Sequence, residues 1–230
     1  MEFKKLSIII PSYNEAATLP EIISRVEAVD LGVAKEIIIV DDGSSDGTEK
    51  LLANYVDKYK IIRHENNQGK GAAVRSGIAV ATGDYIVIQD ADLEYDPEDI
   101  KKMVVAANEG AEVIYGSRRL GLVRKKNVKA GWLYYIGGVM LTTVANLLYG
   151  INITDEPTGY KMVKKEVLAK LNLKCEGFEF CPEITAKIAR LKIPIKEVPI
   201  SYQPRSKMQG KKIKFKDAII AVWTLLKYRL

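Results

Sequence analysis

The chain has 230 residues, of which 47% are hydrophobic and 28% are charged. Such a composition is ordinary for a soluble globular protein and excludes a disordered, collagen-like or low-complexity chain. The length predicts one domain that can bury a full core without covalent staples. Two cysteines, Cys175 and Cys181, cannot make a disulfide scaffold, so we expect a reducing, intracellular setting. The single histidine, His64, excludes a metal site built from several histidines.

The first half of the chain alternates between strand-like and helix-like segments. Short, continuous β-branched runs indicate strands that are buried on both faces, as in parallel sheets. Five such runs occur, at residues 6–10, 36–40, 60–63, 85–88 and 112–115. The first of them follows the initial residues directly, so we expect no signal peptide.

Helical patterns lie between these runs. After Asp46, a plausible N-cap, apolar residues recur at helical spacing as far as Tyr59. Asp96 and Pro97 are typical of a helix start, and that helix should run to about Asn108. The alternation predicts an α/β fold with a mostly parallel sheet and helices on both faces.

Three segments of the second half have a different character. Residues 130–150 carry no charge, which fits a membrane span, a buried core helix or a helix lying at a membrane interface. Residues 195–202 alternate like a late strand, and Pro199 favours the edge of the sheet. Residues 213–230 form a basic amphipathic pattern, which indicates a helix that either docks on the core or contacts a membrane surface.

The net charge of +6 arises from two basic segments. Residues 113–154 contain six basic residues and no acidic one, and residues 205–216 contain six more. Both segments suit phosphate groups or an anionic membrane surface, although they also fit solvated faces of the fold. Neither segment interleaves aromatic residues for base stacking, so we expect no nucleic-acid partner.

Acidic residues follow three of the predicted strands. Ligands of an open parallel sheet bind outside the carboxyl ends of its strands. The acidic residues at these ends are Glu15, Asp41, Asp42, Asp90 and Asp92. Two carboxylates that flank one residue can bracket a hard cation, and carboxylate oxygens suit Mg²⁺ or Mn²⁺. We therefore predict a metal at Asp90 and Asp92, with Glu94 completing its shell.

Two common nucleotide-binding motifs are absent from the sequence. Gly69-Lys70-Gly71 opens no G-x-x-x-x-G-K-[ST] motif, which disfavours a P-loop phosphotransferase. No G-x-G-x-x-G follows the first strand, which disfavours a dinucleotide oxidoreductase. We interpret His64, at the end of a weak strand, as a surface or satisfied structural histidine.

Seven motifs together point to a known family. The first four are IIIPSYNE at residues 8–15, VDDGSSDGT at 40–48, NQGKGAA at 67–73 and DAD at 90–92. This series resembles the family-2 inverting glycosyltransferases of the GT-A fold. The later motifs are YGSR at residues 115–118, TDEPTGYK at 154–161 and FEFCPEI at 178–184. They resemble the branch of dolichol-phosphate mannose synthases and polyprenyl-phosphate glycosyltransferases, and the match extends over nearly the whole chain.

The resemblance implies roles for the matching positions. The residues implied in donor binding are Pro11, Tyr13, Glu15, Asp42, Lys70, Asp90, Ala91, Arg205 and Lys207. The first four of them would hold the base and ribose of a nucleotide-diphosphate sugar, and Arg205 would close over its diphosphate with help from Lys207. Asp90, Asp92 and Glu94 would hold the Mg²⁺ or Mn²⁺ cofactor, although many relatives carry glutamine where Glu94 stands. Arg118 would face the acceptor phosphate.

The implied reaction is metal-dependent inverting transfer of a hexose from GDP-mannose or UDP-glucose to a polyprenyl (dolichyl) phosphate. Asp92 takes part through the metal. A lipid phosphate is already an anion and needs positioning by Arg118, whereas a hydroxyl acceptor needs a base, for which Asp155 is the candidate. We expect residues 1–116 to form the nucleotide-sugar-binding half and residues 117–230 the acceptor-binding half of one compact domain.

Two other classes remain open. A nucleotidyltransferase is disfavoured because it should carry a phosphate loop rich in Gly, Arg or Lys after the first strand. A non-catalytic nucleotide-sugar binding protein would have no reason to retain Asp90, Asp92 and Arg205 together.

The expected location follows from the interface-type helices. Many members of the branch carry a transmembrane pair after the catalytic region, and no such pair occurs before Leu230. We expect a cytoplasmic protein that is peripheral on the membrane face. It would reach the membrane surface directly or through a separate membrane-protein partner, although a fully soluble acceptor is also compatible with the sequence.

Overall fold

The computed structural model describes residues 3–123, 131–205 and 215–229 of the chain. Within these ranges seven strands form one sheet. The strands are β1 (Lys5–Ser12), β2 (Ala34–Asp41), β3 (Lys60–Arg63), β4 (Tyr85–Ile88), β5 (Val113–Ser117), β6 (Lys161–Lys164) and β7 (Ile195–Pro199). Their order across the sheet is β3-β2-β1-β4-β6-β5-β7.

The helices of the described ranges cover both faces of this sheet. The α-helices are α1 (Leu19–Ala28), α2 (Thr48–Leu52), α3 (Lys70–Val80), α4 (Ile100–Asn108), α5 (Arg118–Val123), α6 (Trp132–Tyr149), α7 (Lys165–Leu171), α8 (Phe180–Arg190) and α9 (Phe215–Lys227). Two short 3₁₀ turns, Ala53–Tyr55 and Pro97–Asp99, follow α2 and precede α4.

The sheet is mostly parallel, as the sequence predicts. Strand β1 pairs in parallel with β2 and β4, β2 with β3, and β5 with β7. Strand β7 lies at one edge, as Pro199 indicates. Side chains of β1 alternate between two cores: Ile8 and Ile10 pack in the cluster that includes α1 and α4, whereas Ile9 packs in the cluster with α3 and α7. This two-sided burial explains the continuous apolar runs.

Strand β6 is the element that the sequence pattern did not predict. It runs antiparallel between β4 and β5, near the middle of the sheet. Lysines begin and end its four residues, a pattern that does not suggest a buried strand. The first of them, Lys161, is fully buried. Its Nζ donates to the Glu156 carbonyl at 2.7 Å and lies 3.7 Å from the centroid of the Tyr115 ring.

The predicted helix boundaries are only partly confirmed. Asp96 caps the turn before α4 by accepting a hydrogen bond from the Glu98 backbone N at 3.1 Å, and α4 ends at Asn108 as predicted. The helix predicted to reach Tyr59 is shorter, because α2 ends at Leu52 and a single 3₁₀ turn follows it.

A third layer of helices lies beside the sheet. Leu141 and Ala145 of α6 are buried with Ala221 and Leu225 of α9 and with Ala186 of α8. The other faces of α6 and α9 leave large apolar side chains exposed. These are Trp132, Tyr135, Ile136, Met140 and Leu147 on α6, and Ile219, Ile220, Trp223 and Leu226 on α9. We call this set the apolar ridge.

Helix α6 is therefore neither fully buried in a core nor suited to span a bilayer. None of the helices in the described ranges combines the length and the apolar character that crossing a membrane requires. The third possibility for this segment, a helix at a membrane interface, stays a prediction.

A partly buried carboxylate connects strands and loops at the amino-terminal end of the sheet. Glu36 of β2 accepts hydrogen bonds from Ser7 Oγ at 2.5 Å, from the Thr82 backbone N at 2.8 Å and from Lys60 Nζ at 2.9 Å. Burial opposes ionisation of Glu36, but these donors outweigh it and hold the pKa of Glu36 well below its ordinary value.

Candidate active site

The predicted D-x-D carboxylates lie at the carboxyl end of β4, each beside a basic residue. Lys70 Nζ is 2.5 Å from Asp90 Oδ1, and Arg205 Nη2 is 2.9 Å from Asp92 Oδ2. Lys70 comes from the start of α3, whereas Arg205 comes from the segment after β7. The structure thus brings together four of the residues that the resemblance assigns to the donor and the metal.

Arg205 connects two acidic residues that lie far apart in the sequence. Its Nη1 is 3.2 Å from both carboxylate oxygens of Glu15, while Nη2 reaches Asp92. The Nε of Arg205 is buried and has no hydrogen-bond acceptor among the described residues. The guanidinium therefore joins the loop after β1 to the D-x-D motif.

Glu94 holds the backbone that leads to Arg205. Its Oε1 accepts a hydrogen bond from the Arg205 backbone N at 2.6 Å, and its Oε2 accepts one from Tyr202 Oη at 3.0 Å. The Gln203 backbone N donates to the Glu94 carbonyl at 2.9 Å. Both carboxylate oxygens of Glu94 thus contact the segment after β7, and its role as a metal ligand stays a prediction.

The turn between Asp92 and Glu94 has an unusual backbone. Leu93 has a φ of 62°, in the left-handed region that bulky residues rarely adopt. The Glu94 backbone N donates to Asp92 Oδ1 at 3.1 Å, which closes the turn. Backbone strain of this kind concentrates at functional sites.

The charge of this cluster suits a cation. Burial and the neighbouring carboxylates of Asp90 and Glu94 raise the pKa of Asp92, although Arg205 acts in the opposite direction. In the described part of the chain no three metal-ligating side chains converge on one point. The oxygen donors and the excess of negative charge nevertheless fit Mg²⁺ or Mn²⁺, with Asp90 and Asp92 as the residues that would hold it.

The second predicted centre lies at the carboxyl end of β5. Arg118 donates to Asp155 through its backbone N at 2.9 Å, through Nε at 2.7 Å and through Nη2 at 2.7 Å. The Arg118 guanidinium also lies over the Tyr202 ring, with its Cζ 5.1 Å from the centroid. Planar, bidentate pairing of this kind fixes the orientation of an arginine as a lysine cannot.

Asp155 is almost completely buried and remains ionised. Burial opposes its charge, but the Arg118 guanidinium outweighs burial and holds the pKa of Asp155 below its ordinary value. Glu197 of β7 fixes the Asp155 loop by accepting hydrogen bonds from the backbone N of Thr154 at 2.8 Å and of Asp155 at 3.1 Å. The sequence analysis missed Glu197, whose position in an alternating edge strand gives no signal.

Asp42 lies at the carboxyl end of β2, and its carboxylate accepts hydrogen bonds from other groups of the protein. Its Oδ1 accepts hydrogen bonds from His64 Nδ1 at 2.7 Å and from the Gln68 backbone N at 2.9 Å. Its Oδ2 accepts one from the Gly69 backbone N at 2.8 Å. His64 is buried, and its Nε2 is 2.9 Å from Ser76 Oγ, so it is a satisfied structural histidine. The predicted contact of Asp42 with a nucleobase stays a prediction.

The remaining predicted donor residues are placed as follows. Pro11 and Tyr13 are half-buried at the carboxyl end of β1 and just beyond it. Ala91, the middle residue of the D-x-D motif, is buried in the apolar cluster with α1 and α4. Lys207 lies outside the described residues.

The start of α3 is closed off by another loop. The backbone N of Gly71 donates to the Gly177 carbonyl, and that of Ala72 donates to the Glu176 carbonyl, both at 3.1 Å. Gly69 has a φ of +95°, and a Cβ at this position would overlap the Glu176 carbonyl oxygen. Two backbone N–H groups in the first turn of α3 are therefore already used within the protein.

Comparison with solved structures identifies the class of fold. Glucosyl-3-phosphoglycerate synthase from Mycobacterium tuberculosis, in complex with phosphoglyceric acid, matches with a TM-score of 0.74 at 19% identity. The match covers 98% of this chain and 80% of that one. The same enzyme in complex with Mn²⁺, UDP-glucose and phosphoglyceric acid also has a TM-score of 0.74, at 20% identity. The chain thus has the GT-A fold that the sequence implied.

Sequence comparison identifies the family. Residues 7–171 match the description Glycosyl transferase family 2. Dolichol-phosphate mannosyltransferase of Pyrococcus furiosus is 34% identical over 220 residues, which cover 91% of this chain and 60% of that protein. Polyprenol monophosphomannose synthase of Mycolicibacterium smegmatis is 31% identical over 232 residues, which cover 94% of this chain and 85% of that protein. The chain therefore belongs to glycosyl transferase family 2.

A third relative is named for a sugar other than mannose. Undecaprenyl-phosphate 4-deoxy-4-formamido-L-arabinose transferase of Aeromonas hydrophila is 29% identical over 216 residues, which cover 91% of this chain. The chain spans 63% of the length of that relative and 60% of the length of the Pyrococcus protein.

Proposed function

We propose that the chain catalyses metal-dependent, inverting transfer of a hexose from GDP-mannose or UDP-glucose to a polyprenyl phosphate. The observation that carries this proposal is the Arg118–Asp155 pair, which presents a fixed guanidinium at the same edge of the sheet as Asp90 and Asp92. Three relatives whose names specify dolichol, polyprenol or undecaprenyl phosphate acceptors support it.

The state of Asp155 favours an anionic acceptor. Its carboxylate receives three hydrogen bonds from Arg118, and its pKa is held below the ordinary value. Such a group is a poor general base, because a base works best with a pKa near the working pH. A phosphate acceptor is already ionised and needs only to be positioned. We therefore assign Asp155 a positioning role toward Arg118, instead of the role of base that a hydroxyl acceptor would require.

The donor would lie across the carboxyl ends of β1, β2 and β4. Pro11, Tyr13, Glu15 and Asp42 would hold the nucleoside, while Arg205 and Lys207 would contact the diphosphate. When bound at Asp90 and Asp92, Mg²⁺ or Mn²⁺ would act as a Lewis acid toward the leaving diphosphate. In this arrangement residues 1–116 would supply most of the donor site and residues 117–230 the acceptor site, with Arg205 and Lys207 of the second half reaching the donor diphosphate.

The transfer itself is tested with labelled donor. We would supply GDP-mannose and UDP-glucose separately, with Mn²⁺ and polyprenyl phosphate in detergent, and count the label in the organic phase. We expect label from one donor, its loss in Asp92→Ala, and its retention in Asp57→Ala, which alters an exposed aspartate remote from the site. Donor binding without organic label would reject the lipid-phosphate acceptor.

We also propose that the apolar ridge of α6 and α9 rests on a membrane surface, which makes the protein peripheral at the cytoplasmic face. Trp132 is 72% exposed and Trp223 is 63% exposed, and tryptophan settles at the level of lipid headgroups. Polyprenyl phosphates carry their phosphate at that level. A ridge seated there would bring Arg118 toward the acceptor phosphate.

Flotation with vesicles tests the membrane contact. We expect the protein to float with vesicles that contain phosphatidylglycerol, and the Trp132→Ser, Trp223→Ser double variant to float several-fold less. Val56→Ser is the matched control, since Val56 is 59% exposed but lies outside the ridge. Equal flotation of all three would reject the ridge as the contact. No flotation of any of them would favour recruitment by a separate membrane protein.

A further inference from the structure

Arg205 contacts one residue of the predicted nucleoside site and one residue of the predicted metal site. Glu15 is predicted to bind the nucleoside of the donor, and Asp92 is predicted to hold the metal. The same guanidinium lies 3.2 Å from Glu15 Oε1 and 2.9 Å from Asp92 Oδ2. The Arg205 guanidinium thus neutralises part of the negative charge of Glu15 and Asp92, the two residues that are predicted to contact the donor and the metal.

We propose that Arg205 is the resident counter-cation of the Glu15–Asp92 pair and competes with the divalent metal for Asp92. The inference rests on the proposed function in taking the metal to bind at Asp90 and Asp92. A divalent ion on Asp92 would stand close to the guanidinium, and two like charges at such a distance repel strongly in a partly buried site. Metal binding therefore requires that Arg205 leave Asp92.

The exchange needs only a rotation of the Arg205 side chain. Glu94 holds the chain at and before Arg205, by accepting hydrogen bonds from the Arg205 backbone N at 2.6 Å and from the Tyr202 side-chain Oη at 3.0 Å. The buried Nε of Arg205 has no hydrogen-bond acceptor among the described residues. An anion such as a diphosphate, once held by the metal, offers acceptors for the released guanidinium.

This arrangement links two binding events. The metal frees Arg205 from Asp92, and the released arginine uncovers Glu15 for the donor. The site would thus bind donor well only after the metal has entered. By linkage, removal of the Arg205 guanidinium should strengthen binding of the metal alone.

Calorimetric titration of the full chain with Mn²⁺, without any nucleotide, tests the competition. We expect Arg205→Gln to bind Mn²⁺ about tenfold more tightly than the unaltered protein, a typical size for coupling between ligands. Arg205→Lys should remain close to the unaltered protein, because a lysine still pairs with Asp92. Arg25→Gln is the control for net charge, since Arg25 is an exposed residue of α1 paired with Glu21, and it should leave the affinity unchanged.

Two further measurements sharpen the outcome. At 0.5 M salt, long-range effects of charge are screened, and the gain in Arg205→Gln should persist because it arises from direct contact. Thermal unfolding establishes that the variants are folded. Unchanged or weaker Mn²⁺ binding in Arg205→Gln, or no binding in either protein, overturns the proposal. The titration uses no sugar donor or acceptor, so its failure is distinguishable from failure of the transfer assay.

Discussion

Substitution of Asp155 by asparagine separates a positioning role from a role as base. Asp155 is 1% exposed and accepts three hydrogen bonds of 2.7–2.9 Å from Arg118. Breaking a buried ion pair by removing one partner costs about 3–5 kcal/mol. The Arg118 side chain keeps 23% exposure, so we expect a loss near the lower end, about 3 kcal/mol. In a chain of this size that corresponds to a fall of roughly 6–12 °C in Tm.

The pH dependence of this loss has a defined sign. The pKa of Asp155 is lowered in the folded protein, so its contribution to stability is present above the ordinary carboxylate pKa. That contribution disappears as the pH falls through the folded-state value. The difference in Tm between Asp155→Asn and the unaltered protein should therefore be full at pH 7 and should shrink in acid.

The assay combines thermal unfolding with transfer kinetics at varied acceptor concentration. If Asp155 positions Arg118, Asp155→Asn raises the KM for polyprenyl phosphate, and combining it with Arg118→Lys adds little further loss. Asp57→Asn, at an exposed position, should change neither quantity. Two results would refute the reasoning: a Tm within 2 °C of the unaltered protein, or a loss of kcat with no change in the KM for the acceptor.

Three further substitutions test the scaffold around the site. Glu36→Gln should cost about 2 kcal/mol at pH 7. The cost should be smaller at pH 3, because folding lowers the pKa of Glu36 and the carboxyl is therefore protonated in the unfolded chain before it is protonated in the folded protein; urea unfolding at both pH values checks this, and an equal cost at both would contradict it. Lys161→Met should cost about 1–3 kcal/mol, because it leaves the buried Glu156 carbonyl without its hydrogen-bond donor and removes the cation from the face of the Tyr115 ring; equal urea midpoints would contradict this role of Lys161. Gly69→Ala should lower Tm and weaken nucleotide binding, because φ at this position is +95° and a Cβ would overlap the Glu176 carbonyl oxygen. Thermal unfolding and calorimetry with UDP or GDP check this prediction. Unchanged Tm and affinity would show that the loop at Glu176 moves to accommodate the methyl group.

The sequence by itself indicated six of the seven strands in the described sheet, and it indicated the family. Buried strands such as β1 and β2 are continuous apolar runs, and such runs depend only on near neighbours in the chain. The capping of α4 by Asp96 is local in the same sense, since the donor is two residues away. The D-x-D carboxylates were assigned to a candidate ligand site by the rule that ligands bind at the carboxyl ends of parallel strands.

The local sequence pattern did not predict strand β6. Its lysines look like solvent-exposed residues, and only the surrounding structure supplies the carbonyl and the aromatic face that receive Lys161. A four-residue run with charged ends contains too little local information to locate a central strand. Its antiparallel direction is likewise set by its neighbours β4 and β5.

The pairing of charged residues in the site depends on tertiary structure alone. Arg205 and Glu15 are 190 positions apart in the chain, and Arg118 and Asp155 are 37 apart. No pattern in the sequence states which acid a given base will meet, because ion pairs form between whichever residues the folded backbone brings within a few ångströms. The candidate residues of the site were named from the sequence, and their functional roles stay predictions. Their pairings, and with them the proposed competition between Arg205 and the metal, depend on how the folded sheet and its loops bring these residues together.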